Sequence, residues 1–211
     1  MLFFRFNLSL FAFIERFFGL CPCARVGSRC APSAYYSLIR PDTIDGPMKV
    51  LVFTEGTLIM NSGAKGLSRE DIVKQVLEGK ELSIREYGTY IPVGDGAKKL
   101  QLWKSQGAEI VYLTSRTKPV EIGAIRSVLK KHDFPKGQLL FRREGEEYKD
   151  VAERVMPDII VEDDCESIGG EDEMTYTHIK RELKKKIRSI AVKEFGGIDH
   201  LPDGLLNLKA S

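Results

Sequence analysis

The chain has 211 residues, enough for one domain with a sizeable core plus an extension or a small insert, and too few for two full domains. Its formal net charge is only +2, and its 32 basic and 30 acidic residues are scattered, so it carries no electrostatic footprint for nucleic acid. Composition divides the chain near Met48: residues 1–47 hold five Arg, no Lys, seven of the eleven Phe and three of the four Cys. The remainder balances 27 basic against 27 acidic residues, as an ordinary cytoplasmic domain does, and its single Cys165 excludes an internal disulfide there.

The first twenty residues are rich in Phe and Leu, but Arg5, Glu15 and Arg16 leave an apolar run of only about seven residues. That is short of the ~20 a spanning helix needs, so no spanning segment is expected; an interfacial amphipathic anchor remains open. Cys21, Cys23 and Cys30 make a poor zinc site, since no His or fourth Cys lies nearby. Residues 1–47 therefore read as an extension without a folded role, with the Pro/Gly/Ser-rich stretch 22–47 as linker and Met48 as a start for the folded part.

Val50-Leu51-Val52-Phe53 is a continuous apolar run suited to a central parallel strand over 49–54, and Glu55-Gly56-Thr57 follows as a tight acidic turn. Ser68 is the N-cap of a helix with Ile72, Val73, Val76 and Leu77 on its apolar face and Gly79 at its end. A small insert containing Ile84, Tyr87, Tyr90 and Ile91 runs up to Gly94, and a second helix spans about Asp95 to Gln106, stopped by Gly107. Residues 109–113 form a strand ending on Thr114-Ser115-Arg116, and Pro119 opens a helix through Lys131.

A short strand over 139–141, a helix over 148–155 and a strand over 158–161 that ends on Glu162-Asp163-Asp164 come next. Ile179 to Ile187 reads as helix and 189–192 as a fifth strand, with 196–211 left as a C-terminal tail. Alternating strands and helices predict an α/β fold: a Rossmann-like parallel sheet with helices on both faces, and a small insert after the first strand. Neither an internal repeat nor a glycine-rich dinucleotide fingerprint is present. His132, His178 and His200 are isolated and form no triad or zinc spacing.

In such a sheet the ligand crevice lies outside the carboxyl ends of the strands. Three of those ends are polar: Thr54 and Glu55, Thr114 and Ser115, and Glu162, Asp163 and Asp164. Three adjacent acids repel one another, and a cation is their natural compensation.

Over residues 48–195 this order of motifs resembles the haloacid dehalogenase-like (HAD-like) superfamily, most of whose members are magnesium-dependent phosphohydrolases. The first motif of that family reads Asp-x-Asp-Gly-Thr after a hydrophobic strand. Aligned on Gly56-Thr57, it places Phe53 at the nucleophile and Glu55 at the acid/base. The resemblance implies a phosphate-binding role for Thr114, Ser115, Gly56 and Lys149, with Arg116, Arg142 and Arg143 competing for the role of Lys149. It implies Mg²⁺ held by Asp163 and Asp164, and a small cap over about 60–93.

A covalent mechanism needs a carboxylate nucleophile, and Phe53 supplies neither that nor a metal ligand. Shifting the alignment to make Thr54 the nucleophile turns the attacking group to the opposite face of the strand. The resulting expectation is a protein that binds a phosphate-bearing small molecule with weak or lost covalent phosphatase activity. Two alternatives stand beside it: a hydrolase using Glu55 and a metal-bound water, and a noncatalytic scaffold whose insert, including Tyr87 and Tyr90, contacts another protein, which a crevice filled by the Phe53 ring would favour.

Overall fold

The three side chains Val50, Leu51 and Val52 are each fully buried, because the strand that carries them has packed layers on both faces. The computed structural model describes residues 46–78 and 86–210. The elements in chain order are β1 (Lys49–Phe53), β2 (Ile59–Met60), α1 (Arg69–Leu77), β3 (Ile91–Pro92), α2 (Gly96–Ser105), β4 (Glu109–Leu113), α3 (Pro119–Lys131) and β5 (Gln138–Leu140). They continue with α4 (Tyr148–Val155), β6 (Ile159–Asp163), α5 (Thr175–His178), α6 (Arg181–Lys184), β7 (Arg188–Val192) and α7 (Asn207–Ala210).

Five strands form one sheet in the order β5-β4-β1-β6-β7, and every neighbouring pair is parallel. Numbered within the sheet, the order is 3-2-1-4-5, the doubly wound arrangement whose direction reverses beside the first strand. Val50 and Val52 pack on one face with Leu100 and Trp103 of α2 and Ile125 of α3. Leu51 packs on the other with Val151 and Ala152 of α4. The α/β expectation is therefore met. β2 and β3 make a separate antiparallel pair that ties the two ends of the insert together.

Local signals behave as their chemistry requires. The Ser68 side chain accepts the Asp71 amide at 3.2 Å and starts α1, and Pro119 occupies the first turn of α3. Gly107 closes α2 with φ +101°, a conformation that suits glycine.

Three expectations are corrected. The stretch Ile179–Ile187 is not one helix: α5 and α6 are four residues each, and Ile179 between them is extended and buried against the β6 side of the sheet. β6 spans Ile159–Asp163 rather than 158–161, so two of the acids expected to follow the strand lie within it. Residues 196–210, expected as part of a tail, return to the domain, since Ile198 and Leu208 are fully buried in the core beside Trp103, whose Nε1 donates to the Pro202 carbonyl at 3.0 Å. The readings of residues 1–45, of Gly79 as a helix stop and of Ile84 fall outside the described residues. Among the described residues no helix is long and apolar enough to cross a membrane.

Candidate functional site

The turn after β1 is held by its own backbone. Thr54 N donates to Leu113 O at 3.0 Å, and Leu58 N and Ile59 N both donate to Thr54 O at 2.9 Å. Gly56 sits inside this turn with φ +81°, and a Cβ there would lie 2.8 Å from Asp163 Oδ1. Both the backbone angle and the close approach of β6 demand glycine. Phe195 N, just beyond β7, donates to Gly56 O at 2.8 Å, so the ends of β1, β6 and β7 converge at this point. A cavity of about 690 Å³ opens there, roofed by residues of β2 and α1.

Glu55 reaches from the β1 turn toward the end of β4. Its carboxylate accepts from Thr54 Oγ1 at 2.5 Å, Thr114 Oγ1 at 2.6 Å and Ser115 N at 3.1 Å, and Arg116 Nε lies 3.5 Å away. Three donors thus occupy the oxygens a general acid or base would use. The buried Thr114 hydroxyl is spent on Glu55, while Glu55, Gly56 and Ser115 line the cavity.

The acids at the end of β6 diverge, because side chains alternate along a strand. Glu162 accepts the Thr175 and Tyr176 amides at 2.8 and 3.0 Å, and burial raises its pKa. Asp163 takes the Thr57 hydroxyl at 2.7 Å; burial pushes its pKa up to about 6, against the lowering effect of that bond and with a further push from Glu194. Asp164 turns outward to Lys193 at 2.9 Å and accepts the Glu194 amide at 3.0 Å. Although partial burial works the other way, those partners hold Asp164 below the usual carboxylate range.

Asp163 and Asp164 therefore do not converge as the expected metal pair. Among the described residues no group of three or more His, Cys, Asp or Glu is placed to hold a metal. Phe53 adds no oxygen, Glu55, Glu162 and Glu194 are engaged with protein donors, and Asp163 takes the Thr57 hydroxyl, so the donor set does not fit a resident Mg²⁺.

On the β4–β5 side, Lys149 is also turned away. Its Nζ pairs with Glu147 at 2.5 Å. The neighbouring Tyr148 faces inward instead, meeting the Phe53 ring edge-on at 5.5 Å, with the Arg142 guanidinium 4.1 Å above the Tyr148 ring. Arg142 Nε is buried and has no hydrogen-bond partner. Phe53, Tyr148, Arg116 and Arg142 all line the cavity. A sequence signal for Tyr148 exists: Tyr148, Val151, Ala152 and Val155 lie at i, i+3, i+4 and i+7, one helical face, which excludes Lys149. Glu194 and Phe195, just past β7, had no such signal.

No protein-family model and no curated protein sequence matches the chain. Solved structures do. A chain of the Pnkp1/Rnl/Hen1 RNA repair complex is similar at 15% identity and TM-score 0.44, with 72% of this chain and 44% of that one covered. The class C acid phosphatase from Bacillus anthracis with tungstate bound is similar at 14% identity and TM-score 0.43, over 78% and 73% of the two chains. D,D-heptose 1,7-bisphosphate phosphatase from Burkholderia thailandensis is similar at 10% identity and TM-score 0.38, over 71% and 94%. The chain spans about half the length of the RNA-repair chains it matches. The fold is Rossmann-like α/β. That statement rests on the parallel 3-2-1-4-5 sheet itself, and the cavity lies at the carboxyl ends where such sheets bind ligands.

Proposed function

We propose that this is a HAD-like protein that binds a phosphate-bearing small molecule in the cavity beyond β1, β4 and β6, with covalent phosphatase activity weak or lost. One observation carries the reading. The Phe53 ring stands at the strand end where a nucleophile would be required and is packed on Tyr148, while the cavity beside it stays open and is lined by Arg116 and Arg142. Two guanidinium groups on one cavity wall favour an anion, and their planar donors suit phosphate oxygens.

Binding in this reading is metal-independent, with Arg142, Arg116 and Ser115 taking the part that the resemblance gave to Lys149 and Mg²⁺. The open cavity weighs against the scaffold alternative, which a crevice filled by Phe53 would favour. The occupied oxygens of Glu55 weigh against the metal-water hydrolase.

The test is calorimetric titration of the full chain with inorganic phosphate and a panel of phosphorylated metabolites, with and without Mg²⁺, beside an assay for released phosphate. Saturable binding of at least one phosphate compound that ignores Mg²⁺, with no turnover, is expected. Turnover at ordinary enzymatic rates, or binding that requires Mg²⁺, overturns it.

A further inference from the structure

The walls of this cavity also restrict what the rest of the ligand can be. Its cationic groups lie past the ends of β4 and β5, where Ser115, Arg116 and Arg142 sit. On the other side of β1, past β6 and β7, the wall carries Glu162, Asp163, Glu173 and Glu194. A second anionic group there would face carboxylates, so the ligand has one anionic head and not two.

Hydroxyl-rich bodies fare poorly as well. Four of the five wall carboxylates already accept from the protein: Glu55 from Thr114, Glu162 from two amides, Asp163 from Thr57, and Glu194 from Ser167 Oγ at 2.6 Å and Ser167 N at 2.8 Å. A sugar entering among them would exchange its hydration for acceptors already shared with protein donors. What the roof and far wall offer instead is apolar surface: Met60 of β2, Ile72 and Val76 of α1, and Ile168 and Phe195 beyond β6 and β7. Ile168 is 63% exposed although it lines the cavity, an apolar side chain with little of this protein packed on it. The volume of about 690 Å³ lies within the range of ordinary small-molecule sites.

We propose that the ligand is a phosphomonoester of an apolar alcohol, with its single head at Arg142 and Arg116 and its body against Met60, Val76 and Phe195. This rests on the phosphate-binding reading above and narrows it.

Titration of the full chain with n-octyl phosphate below its micellar concentration, glucose 6-phosphate, fructose 1,6-bisphosphate and inorganic phosphate tests it. Octyl phosphate should bind at least about tenfold more tightly than glucose 6-phosphate, a margin that burial of two methylenes already supplies. The bisphosphate should be weakest of the three esters. Val76→Asn should weaken octyl phosphate severalfold and leave inorganic phosphate unchanged; Val76→Ser serves the same purpose if the amide prevents folding. Arg142→Gln should weaken octyl phosphate and inorganic phosphate together. Glucose 6-phosphate binding as tightly as octyl phosphate, or Val76 variants affecting neither, overturns the apolar body and leaves the phosphate reading standing. Failure of every phosphate compound to bind, or an Arg142→Gln variant that folds and binds octyl phosphate normally, overturns both.

Discussion

Phe53 and Tyr148 meet as an edge-to-face pair, ring centroids 5.5 Å apart at 70°, at the strand end where phosphotransfer would need a carboxylate. Such a pair contributes about 0.5–1.5 kcal/mol beyond the area it buries. Phe53→Asp should therefore destabilise the protein by ~1–3 kcal/mol, through lost packing and a carboxylate set against an aromatic face. It should not create a phosphatase, because Lys149 stays on Glu147 and Asp164 on Lys193. Urea denaturation and acid-quench labelling with a radioactive phosphomonoester check both halves; a labelled phosphoenzyme would contradict the second.

Asp163 sets a pH dependence whose sign is opposite to that of a salt-bridged carboxylate. Its folded pKa, pushed up to about 6 from 3.8 chiefly by burial, means the native state holds the proton more tightly than the unfolded chain. Its contribution to stability is then greatest at low pH and declines as pH rises from about 4 to 6. Asp163→Asn keeps an oxygen for Thr57 and removes the ionisation. In metal-free buffer at pH 7 the variant should be more stable than the parent by on the order of 2 kcal/mol, with the difference shrinking as pH falls from about 6 to 4. Chemical denaturation at pH 4, 5, 6 and 7 measures it.

Gly56→Ala combines a positive φ with a Cβ 2.8 Å from the Asp163 carboxylate. The angle alone costs ~1–2 kcal/mol, and the contact requires the turn or β6 to shift. A loss of at least ~2 kcal/mol is expected in a urea titration, along with weaker binding of any ligand that reaches the turn.

Tyr148→Ala and Lys149→Ala separate two neighbours that the family resemblance ranks the other way. The alanine at 148 removes the partner of both Phe53 and Arg142 and should lower stability by ~1–3 kcal/mol while weakening phosphate binding. Lys149 is paired with Glu147 on the outer side of α4, so its variant should leave the urea midpoint and phosphate affinity unchanged.

Leu208→Ala probes the return of the chain into the core after β7. Leu208 is fully buried, and its truncation should cost ~2–4 kcal/mol, a value no freely hanging tail would give. The thermal midpoint by circular dichroism measures it.

Much of this architecture was legible from local pattern. The apolar run of β1, the Ser68 cap, Gly107 and Pro119 each act within a few residues of themselves, and their elements form where those signals stand. The same rules held information that the family resemblance obscured. Strand alternation forbids Asp163 and Asp164 from facing one way if β6 continues through them, and the spacing of Tyr148, Val151 and Val155 places Lys149 outside. Ile179 reads as helix in sequence because apolar residues at helical spacing also suit an extended segment pressed onto a sheet.

From the sequence alone came a parallel α/β sheet, the polar ends of its strands, and an aromatic ring where a nucleophile is needed. These follow from short-range periodicity and from residue identity, which do not depend on distant partners. Only the tertiary structure decided that Glu55 is occupied by Thr114 and Ser115, that the β6 acids separate, and that Arg142 and Tyr148 take the inner position beside Phe53. Those outcomes depend on contacts between residues far apart in the chain, where burial and the pairing of polar groups choose the partners.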